Sequence, residues 1–165
     1  MLATAPGVGL AVLTADCVPL LAHAPGRGAV LAVHAGWRGS LEGVAVRRAA
    51  SAERRLGIAP GECAGGPRPG HRGCCYQVEA EIGERFVDRW GAMPDAWQRA
   101  GGHGQLDLRQ VNRAILAAIG VAPGAIVDVG PCTSCASADY FSHRASRGRA
   151  GRQLSLIGRV APVAA

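Results

Sequence analysis

The chain has 165 residues, of which 48% are hydrophobic, so it can bury a core, yet no apolar run is long enough to span a bilayer. Its net charge of +6 comes from scattered arginines without any lysine, and only 4% of residues are aromatic, which argues against a nucleic-acid partner. The apolar start lacks a basic n-region, which is typical of a buried strand rather than a signal peptide, so we expect a cytoplasmic protein.

Three apolar runs open the chain and predict neighbouring strands: 7–13, 18–24 and 28–35. The third run is apolar on both alternating faces, as expected of a central strand that is buried on each side. The pair Pro25-Gly26 marks the turn between the second and third strands.

Helices are predicted over 40–56, 78–90 and 108–119. Ser40 and Asp107 are suitable N-cap residues, and Gly57 stands where a helix-ending glycine belongs. A loop rich in glycine and proline spans 57–75, and further strands are predicted at 125–130 and 153–160. The alternation of strands and helices predicts an α/β (α+β) class with mixed sheets in a single domain over 1–165.

Cys17 and His34 are the strongest candidates for chemistry, because each lies at the end of a predicted strand, where ligand sites gather. If the strands are neighbours, a thiolate and an imidazole converge, and this pair suits zinc. Ligation of one zinc ion would place the sulfur and a ring nitrogen about 3–4.5 Å apart. A Cys–His nucleophile dyad uses the same residues, and the spacing does not separate the two hypotheses. A core histidine bonded to backbone is the structural alternative.

Arg38 lies near the start of the first predicted helix, where a guanidinium and free backbone N–H groups suit phosphate or carboxylate. The alternative is an arginine that packs its stem against Trp37. The densest basic stretch, 143–152, is interpreted as a solvated loop or an anion-binding turn.

The six cysteines do not predict a secreted disulfide framework, because the chain shows no export signal. The vicinal pair Cys74-Cys75 is unsuited to bridging. Cys132 and Cys135 form a single CxxC, which lacks the second pair of a zinc ribbon and is therefore interpreted as structural.

Several segments over about residues 8–157 match a known pattern in order: TADCVPLL, VHAGWRG, CCYQV, LDLRQVNRAIL and FSHR…GRQLSLI. The sequence thereby resembles the bacterial laccase-domain family of purine nucleoside phosphorylases, formerly labelled multicopper polyphenol oxidases. The resemblance implies a four-layer α/β/β/α fold and a zinc ion bound by one cysteine and two histidines. By motif match, Cys17 and His34 are two of those metal ligands and the catalytic residues.

The implied activities are phosphorolysis of adenosine, inosine and methylthioadenosine, with adenosine deamination. Purine nucleoside and phosphate are the expected partners, in a monomer or weak homodimer with no nucleic acid and no membrane. Arg38 would hold phosphate, and the purine would lie near Trp37 and Tyr76. Copper-dependent polyphenol oxidation is an alternative, although the five histidines contain no His-x-His pair. A catalytically inactive scaffold is a third hypothesis.

The sequence departs from the family in two places. The family's first histidine lies in a QVHG-type motif, and this sequence starts after that point. We therefore expect weak zinc binding, low activity and an exposed apolar patch near Cys17. The family's GPCIGPCCY loop reads GPRPGHRGCCY, and His71 in it is not favoured as a substitute ligand, because catalytic zinc draws on rigidly held residues.

Overall fold

A four-stranded antiparallel sheet forms the centre of the fold in the computed structural model, which describes residues 1–160. Its strands lie in the order β1-β4-β3-β5. Their bounds are β1 Leu2–Ala3, β3 Val18–Ala24, β4 Ala29–Ala35 and β5 Ala64–Pro67. Strands β3 and β4 pair in the register Val18 to Ala35, and Pro25–Arg27 forms the turn between them. The expected buried central strand is confirmed. The first five residues of β4 are all buried, and His34 is the one exposed residue of this strand.

A second, two-stranded antiparallel sheet packs on one face of the first. It pairs β2, Gly9–Thr14, with β9, Gln153–Gly158. Leu10 and Val12 of β2 point inward and form an apolar cluster with Leu21, Val30 and Ala32 of the four-stranded sheet. The opposite face carries exposed leucines, because side chains alternate along a strand: Leu13, Leu154 and Leu156.

Helices cover the other face of the four-stranded sheet. Three helices contact it: α1 Trp37–Leu41, α2 Val44–Leu56 and α4 Leu108–Ala118. The fourth, α3 Ala80–Trp90, packs against α1 and a third sheet. The prediction of one helix from Ser40 is wrong. Gly43, at φ +73°, breaks the segment, and a Cβ on Gly43 would lie 3.1 Å from the Trp90 ring. Ser40 is not an N-cap but a buried α1 residue, whose Oγ accepts a hydrogen bond from Asn112 Nδ2 at 2.8 Å.

The predicted ends of α2 and α4 are confirmed. Gly57 adopts the left-handed conformation after α2, and its N–H donates to the Glu53 carbonyl. The Asp107 carboxylate caps α4 by accepting from the backbone N–H groups of Arg109 and Gln110. These caps end α2 and begin α4 at the expected residues.

A third sheet was not predicted from the sequence. It contains β6 Gln77–Glu79, β7 Trp97–Ala100 and β8 His103–Leu106 in the order β6-β8-β7. Gly83 of α3 and Gly104 of β8 both lie against the Trp97 ring, where a side chain would clash. Residues 125–130 were expected to form a strand. They instead follow the edge of β5, with one parallel bridge from Ile126 to Gly65 and a backbone bond from Val127 to the same glycine.

The architecture is a single mixed α/β domain. Within residues 1–160 the four-stranded sheet lies between the helices and the two-stranded sheet, and the three-stranded sheet β6-β8-β7 packs on α3. The main core lies between the helices and the central sheet and includes Val18, Val33, Phe86, Val111 and Ile115. None of the helices in this part of the chain is long and apolar enough to cross a membrane.

Candidate active cleft and metal-binding cluster

A cleft of about 400 Å³ opens where β2 and β4 end, and this volume suits a small molecule. Four of the residues predicted from the sequence line it: Cys17, His34, Trp37 and Tyr76. The cleft also contains residues that were not predicted as site residues: Asp16, His71, His143, Arg144 and Arg152. The cleft therefore brings the segments of Cys17 and His34 together with two loops that are distant in sequence, one around His71 and one over 143–152.

Cys17 and His34 face this cleft from neighbouring strand ends. Burial, together with the nearby Asp16 carboxylate, raises the pKa of the Cys17 thiol, and the Arg152 charge partly opposes this effect. His34 is exposed as a residue, but its ring is partly enclosed, and this partial burial lowers the pKa of His34, so its imidazole is neutral and can act as a ligand or a base. A Cβ on Gly36 would lie only 2.9 Å from the Cys17 sulfur, which shows how closely the chain passes. Joint coordination of one metal ion by this pair stays a prediction.

Asp16 holds together the loops around Cys17. Its backbone has a positive φ of 81°, which an aspartate adopts more readily than most residues. Its carboxylate accepts from Thr133 Oγ1 at 2.7 Å and from the Arg144 backbone N–H at 2.7 Å. Its carbonyl accepts from the His71 N–H at 2.8 Å. Three distant segments are thereby fixed at one point beside the candidate ligand.

His71 lies in the cleft wall even though the sequence did not favour it. Its side chain is only 1% exposed, and its ring centroid lies 4.5 Å from that of Tyr76. Within residues 1–160, its Nε2 atom is buried without a hydrogen-bond partner. Burial lowers the pKa of His71, while the Asp16 carboxylate acts in the opposite direction. A neutral, unpaired imidazole nitrogen is the state in which histidine binds a metal ion or a substrate proton.

The arginines that line the cleft are not the one predicted. Arg38 is exposed and stacks on Trp37, with 4.4 Å between the guanidinium carbon and the ring centroid. This contact is the one expected if Arg38 packs against Trp37 rather than binding an anion. Arg38 is not among the cleft-lining residues, whereas Arg144 and Arg152 are. Arg144 lies over the Tyr76 ring at 5.1 Å. The stretch 143–152, interpreted as an anion-binding turn or a solvated loop, supplies the cationic wall. The phosphate role of Arg38 stays a prediction.

A cluster of four thiols lies outside the cleft lining. Sulfur–sulfur distances are 3.4 Å for Cys74–Cys135, Cys75–Cys132 and Cys75–Cys135, and 3.9 Å for Cys74–Cys75. Within residues 1–160, this is the one set of three or more Cys, His, Asp or Glu ligand atoms that all lie within 4.8 Å of one another. The four cysteines could therefore hold a metal ion. The sequence contains no second pair at zinc-ribbon spacing, but the fold brings the vicinal pair Cys74-Cys75 next to Cys132 and Cys135.

The charge state of the thiols depends on their surroundings. Burial and the hydrogen bond with Cys135 raise the pKa of Cys74 to about 11, and burial also raises the pKa of Cys75. Burial alone would raise the pKa of Cys132, but the backbone N–H groups of Cys135, Arg72 and Ser134 lower it. The thiols of Cys74 and Cys75 are therefore protonated at neutral pH unless a cation displaces their protons.

The cleft and the cysteine cluster offer different kinds of metal ligand. The cleft offers one thiol and three imidazoles, a mixed sulfur and nitrogen set that zinc accepts. A multicopper centre needs more histidines in closer groups than these side chains provide. The unpaired Nε2 of His71 is consistent with a ligand site in the cleft. However, no set of three cleft ligands in residues 1–160 meets the 4.8 Å spacing that the four cysteines satisfy.

The sequence of this chain is similar to a known protein family and to several of its named members. A family model described as multi-copper polyphenol oxidoreductase laccase matches residues 1–160. "Purine nucleoside phosphorylase YlmD" of Geobacillus stearothermophilus is 40% identical over 159 residues, covering 93% of this chain and 57% of that protein. "Adenosine deaminase RL5" from an unknown prokaryotic organism is 32% identical over 163 residues, and the alignment covers 93% of this chain and 59% of that protein.

Solved structures give the same result at the level of the fold. The crystal structure of YlmD from Geobacillus stearothermophilus superposes with a TM-score of 0.89 at 36% identity, covering 97% of this chain and 60% of that one. The crystal structure of Neisseria meningitidis protein NMB0706 gives a TM-score of 0.83 at 30% identity, over 97% of this chain and 64% of that one. This chain therefore spans less than two thirds of these relatives.

Proposed function

The chain belongs to the multi-copper polyphenol oxidoreductase laccase family, and from this premise we propose that its cleft binds a purine nucleoside and supports metal-dependent phosphorolysis. The observation that carries the proposal is the meeting, in one cleft, of Cys17 and His34 with two aromatic rings and two arginines. Relatives named purine nucleoside phosphorylase support the same reaction class. The coarser conclusion, an enzyme of the nucleoside phosphorylase or adenosine deaminase type, agrees with the names of these relatives.

The aromatic residues are suited to the purine base. Trp37 and Tyr76 both line the cleft, and a planar base can stack on such rings. Burial raises the pKa of Tyr76, so its hydroxyl stays protonated at neutral pH and can donate a hydrogen bond. The rings would therefore hold the base while its edge is recognised by a polar group.

The arginines are suited to the phosphate. Arg152 anchors its guanidinium by donating from Nη1 to the carbonyls of Ala150 and Gly151, both at 2.8 Å. Its other N–H donors remain for an anion. Arg144 is held over Tyr76, and its Nη1 donates to the Gln77 carbonyl. In phosphorolysis a phosphate oxygen attacks C1′ of the ribose as the bond to the base breaks. Arginines that hold the phosphate near C1′ would therefore lower the barrier to this attack.

Zinc is the metal that we propose for the cleft, with Cys17 and His34 as its ligands from this part of the chain. When bound, zinc supplies a Lewis acid that polarises oxygen ligands and lowers the pKa of bound water. His71 also lies in the cleft with an Nε2 that has no partner among residues 1–160, but its ligand atoms and those of Cys17 and His34 do not all lie within 4.8 Å of one another, so no third protein ligand is assigned. Adenosine deamination, which uses water in place of phosphate, would use the same cleft.

Two alternatives differ in their expected products. Phenol oxidation would consume oxygen and need copper, which the cleft's three histidines support poorly. An inactive scaffold would bind nucleoside weakly or not at all and would release no base.

The test is release of hypoxanthine from inosine by the purified, reduced chain in excess zinc, with and without phosphate. We expect phosphate-dependent release. Arg152→Ala should raise the phosphate KM by about tenfold or more, because a hydrogen bond to a charged group contributes roughly 1.5–3 kcal/mol, while the inosine KM changes less. Arg149→Ala is the matched control, since this exposed arginine of the same loop does not line the cleft. Release without phosphate dependence, or equal effects of both variants, would contradict the proposal.

A further inference from the structure

The four sulfurs of the cysteine cluster have the spacing of a metal site rather than of disulfides. A disulfide requires about 2.05 Å between sulfurs. In tetrahedral zinc with bonds of about 2.3 Å, the sulfurs lie roughly 3.8 Å apart. The observed separations of 3.4–3.9 Å agree with the second geometry, and all four sulfurs lie within 4.8 Å of one another.

We propose that Cys74, Cys75, Cys132 and Cys135 bind one structural zinc ion as a tetrathiolate. Four protein ligands fill the tetrahedral shell and leave no position for a substrate, which is typical of structural zinc sites. The site is separate from the cleft, because none of these four residues lines it. It does not rest on the proposed function, since it needs only the four thiols.

The scaffold holds both cysteine pairs in place. Arg109 is buried in α4, and its Nη1 donates to the carbonyls of Gly130 and Pro131, directly before Cys132. Arg109 also bonds the Asp128 carboxylate, which accepts from Arg72 Nη2 at 2.5 Å. Arg72 precedes the vicinal cysteines by two residues. One ion network, centred on the buried Arg109, thus ties the two ligand-bearing segments together, as a rigid metal site requires.

The proposed zinc ion would fix two segments that lead directly into the cleft. Cys75 directly precedes Tyr76, whose ring lines the cleft. Cys132 directly precedes Thr133, whose hydroxyl donates to the Asp16 carboxylate at 2.7 Å beside Cys17. The two ligand pairs come from segments about 60 residues apart, so the metal would cross-link them as a disulfide links distant loops. The structure therefore assigns to this ion a positioning role for Tyr76 and Asp16.

The binding test uses the full chain, purified under reducing and oxygen-free conditions. Zinc is titrated in competition with a chromophoric chelator, and Co²⁺ is added separately to metal-free protein. We expect one tight zinc equivalent, and a cobalt spectrum with the strong visible bands and sulfur-to-metal charge transfer of a tetrahedral thiolate site. Zinc should also raise the Tm of the chain.

Variants separate ligand loss from general damage. Cys135→Ser should weaken tight zinc binding by at least about 100-fold, because ligand loss costs more than the 10–100-fold typical of outer-shell changes. Cys135→His should restore much of the binding by supplying a nitrogen ligand. Cys63→Ser and Cys17→Ser are controls that should retain the tight equivalent, since neither residue belongs to the cluster.

Three results would overturn the proposal. The first is a cobalt spectrum without thiolate charge transfer, and the second is tight zinc binding that survives Cys135→Ser. The third is disulfides between the cluster cysteines, seen by mass spectrometry of protein that was alkylated during lysis. If Cys135→Ser fails to fold, Cys74→Ser tests the same prediction at the other exposed ligand. Zinc held adventitiously outside the cluster would be retained equally in Cys135→Ser and Cys63→Ser, which would overturn the proposal.

Discussion

The cleft and the cysteine cluster are linked through neighbouring residues, Cys75 before Tyr76 and Cys132 before Thr133, but they are built in opposite ways. The cluster has four similar ligands, with sulfurs 3.4–3.9 Å apart, and no room for a substrate. The cleft has about 400 Å³ of space, varied side chains and a ligand set that is spread more widely. Close, uniform ligands favour tight metal binding, whereas an open and varied set favours recognition and chemistry. The two regions therefore divide stability and function between them.

The largest expected effect concerns the scaffold of the cluster. Arg109→Leu would leave the Asp128 carboxylate with Arg72 as its remaining partner and would leave the carbonyls of Val129, Gly130 and Pro131 without this donor, in a largely buried site. Breaking a buried pair by removing one partner costs about 3–5 kcal/mol, so the free energy of unfolding should fall by that order in urea titrations. Arg113→Leu, an exposed site on the same helix, is the control. A similar, small loss in both variants would contradict the role given to the ion network.

An intermediate effect is expected from a change that touches only the cleft. Gly36→Ala would place a methyl group 2.9 Å from the Cys17 sulfur and displace the thiol. Misplacement of a site group by about 1 Å can cost on the order of 100-fold in rate, so inosine cleavage should fall at least tenfold. Gly39→Ala, whose added methyl meets the Val44 side chain at an ordinary 3.6 Å, is the control. Loss of the tight zinc equivalent in Gly36→Ala would show that the two regions are not independent.

The smallest expected effect is a pH dependence of stability at His71. Because burial lowers the pKa of His71 in the folded chain, the unfolded chain binds the proton more readily. Its stability contribution is therefore complete above the ordinary histidine pKa of about 6.5 and is lost as the pH falls below it. The facing groups Asp16, Asp107 and Arg144 modulate this loss.

The measurement compares urea unfolding of the wild type and His71→Gln between neutral and mildly acidic pH. The wild type should lose more stability than the variant over that range. The exposed His23→Gln should behave like the wild type. Parallel pH profiles for wild type and His71→Gln would show that this imidazole does not contribute.

The sequence predicted the cleft better than the cluster, for a physical reason. Cys17 and His34 lie at the ends of strongly apolar strands, whose pairing in register from Val18 to Ala35 follows from a short turn. The side chains that complete the wall, His71 and Arg152, lie on loops whose positions depend on tertiary contacts. Local patterns therefore located the strand ends but not the loops that close over them.

The cluster escaped prediction because its pairs are distant and unlike. A vicinal pair at Cys74 and a CxxC at Cys132 do not form a recognised spacing, and they meet only through the ion network of Arg109. The same limit explains the missed third sheet, whose strands are short and are held by the Trp97 ring. The break between α1 and α2 was signalled by Gly43, but a single glycine inside a helical pattern does not by itself end a helix.

The exposed outer face of the two-stranded sheet agrees with the expected apolar patch near Cys17. Leu13 is 58% exposed and lies at the end of β2, close to the cleft that it also lines. Leu154 and Leu156 extend the same face along β9. Strand alternation accounts for this exposure, because Leu10 and Val12 already fill the inner face.

The most direct test of the division between cleft and cluster is the rate of inosine phosphorolysis as zinc is added stepwise to the reduced, metal-free chain. The first equivalent should bind the cluster without producing turnover, and the rate should rise only with zinc beyond it. Cys17→Ser should abolish that rise while retaining the first equivalent. A rate that saturates with the first equivalent, a rate unchanged in Cys17→Ser, or no phosphorolysis at any zinc concentration would contradict the account.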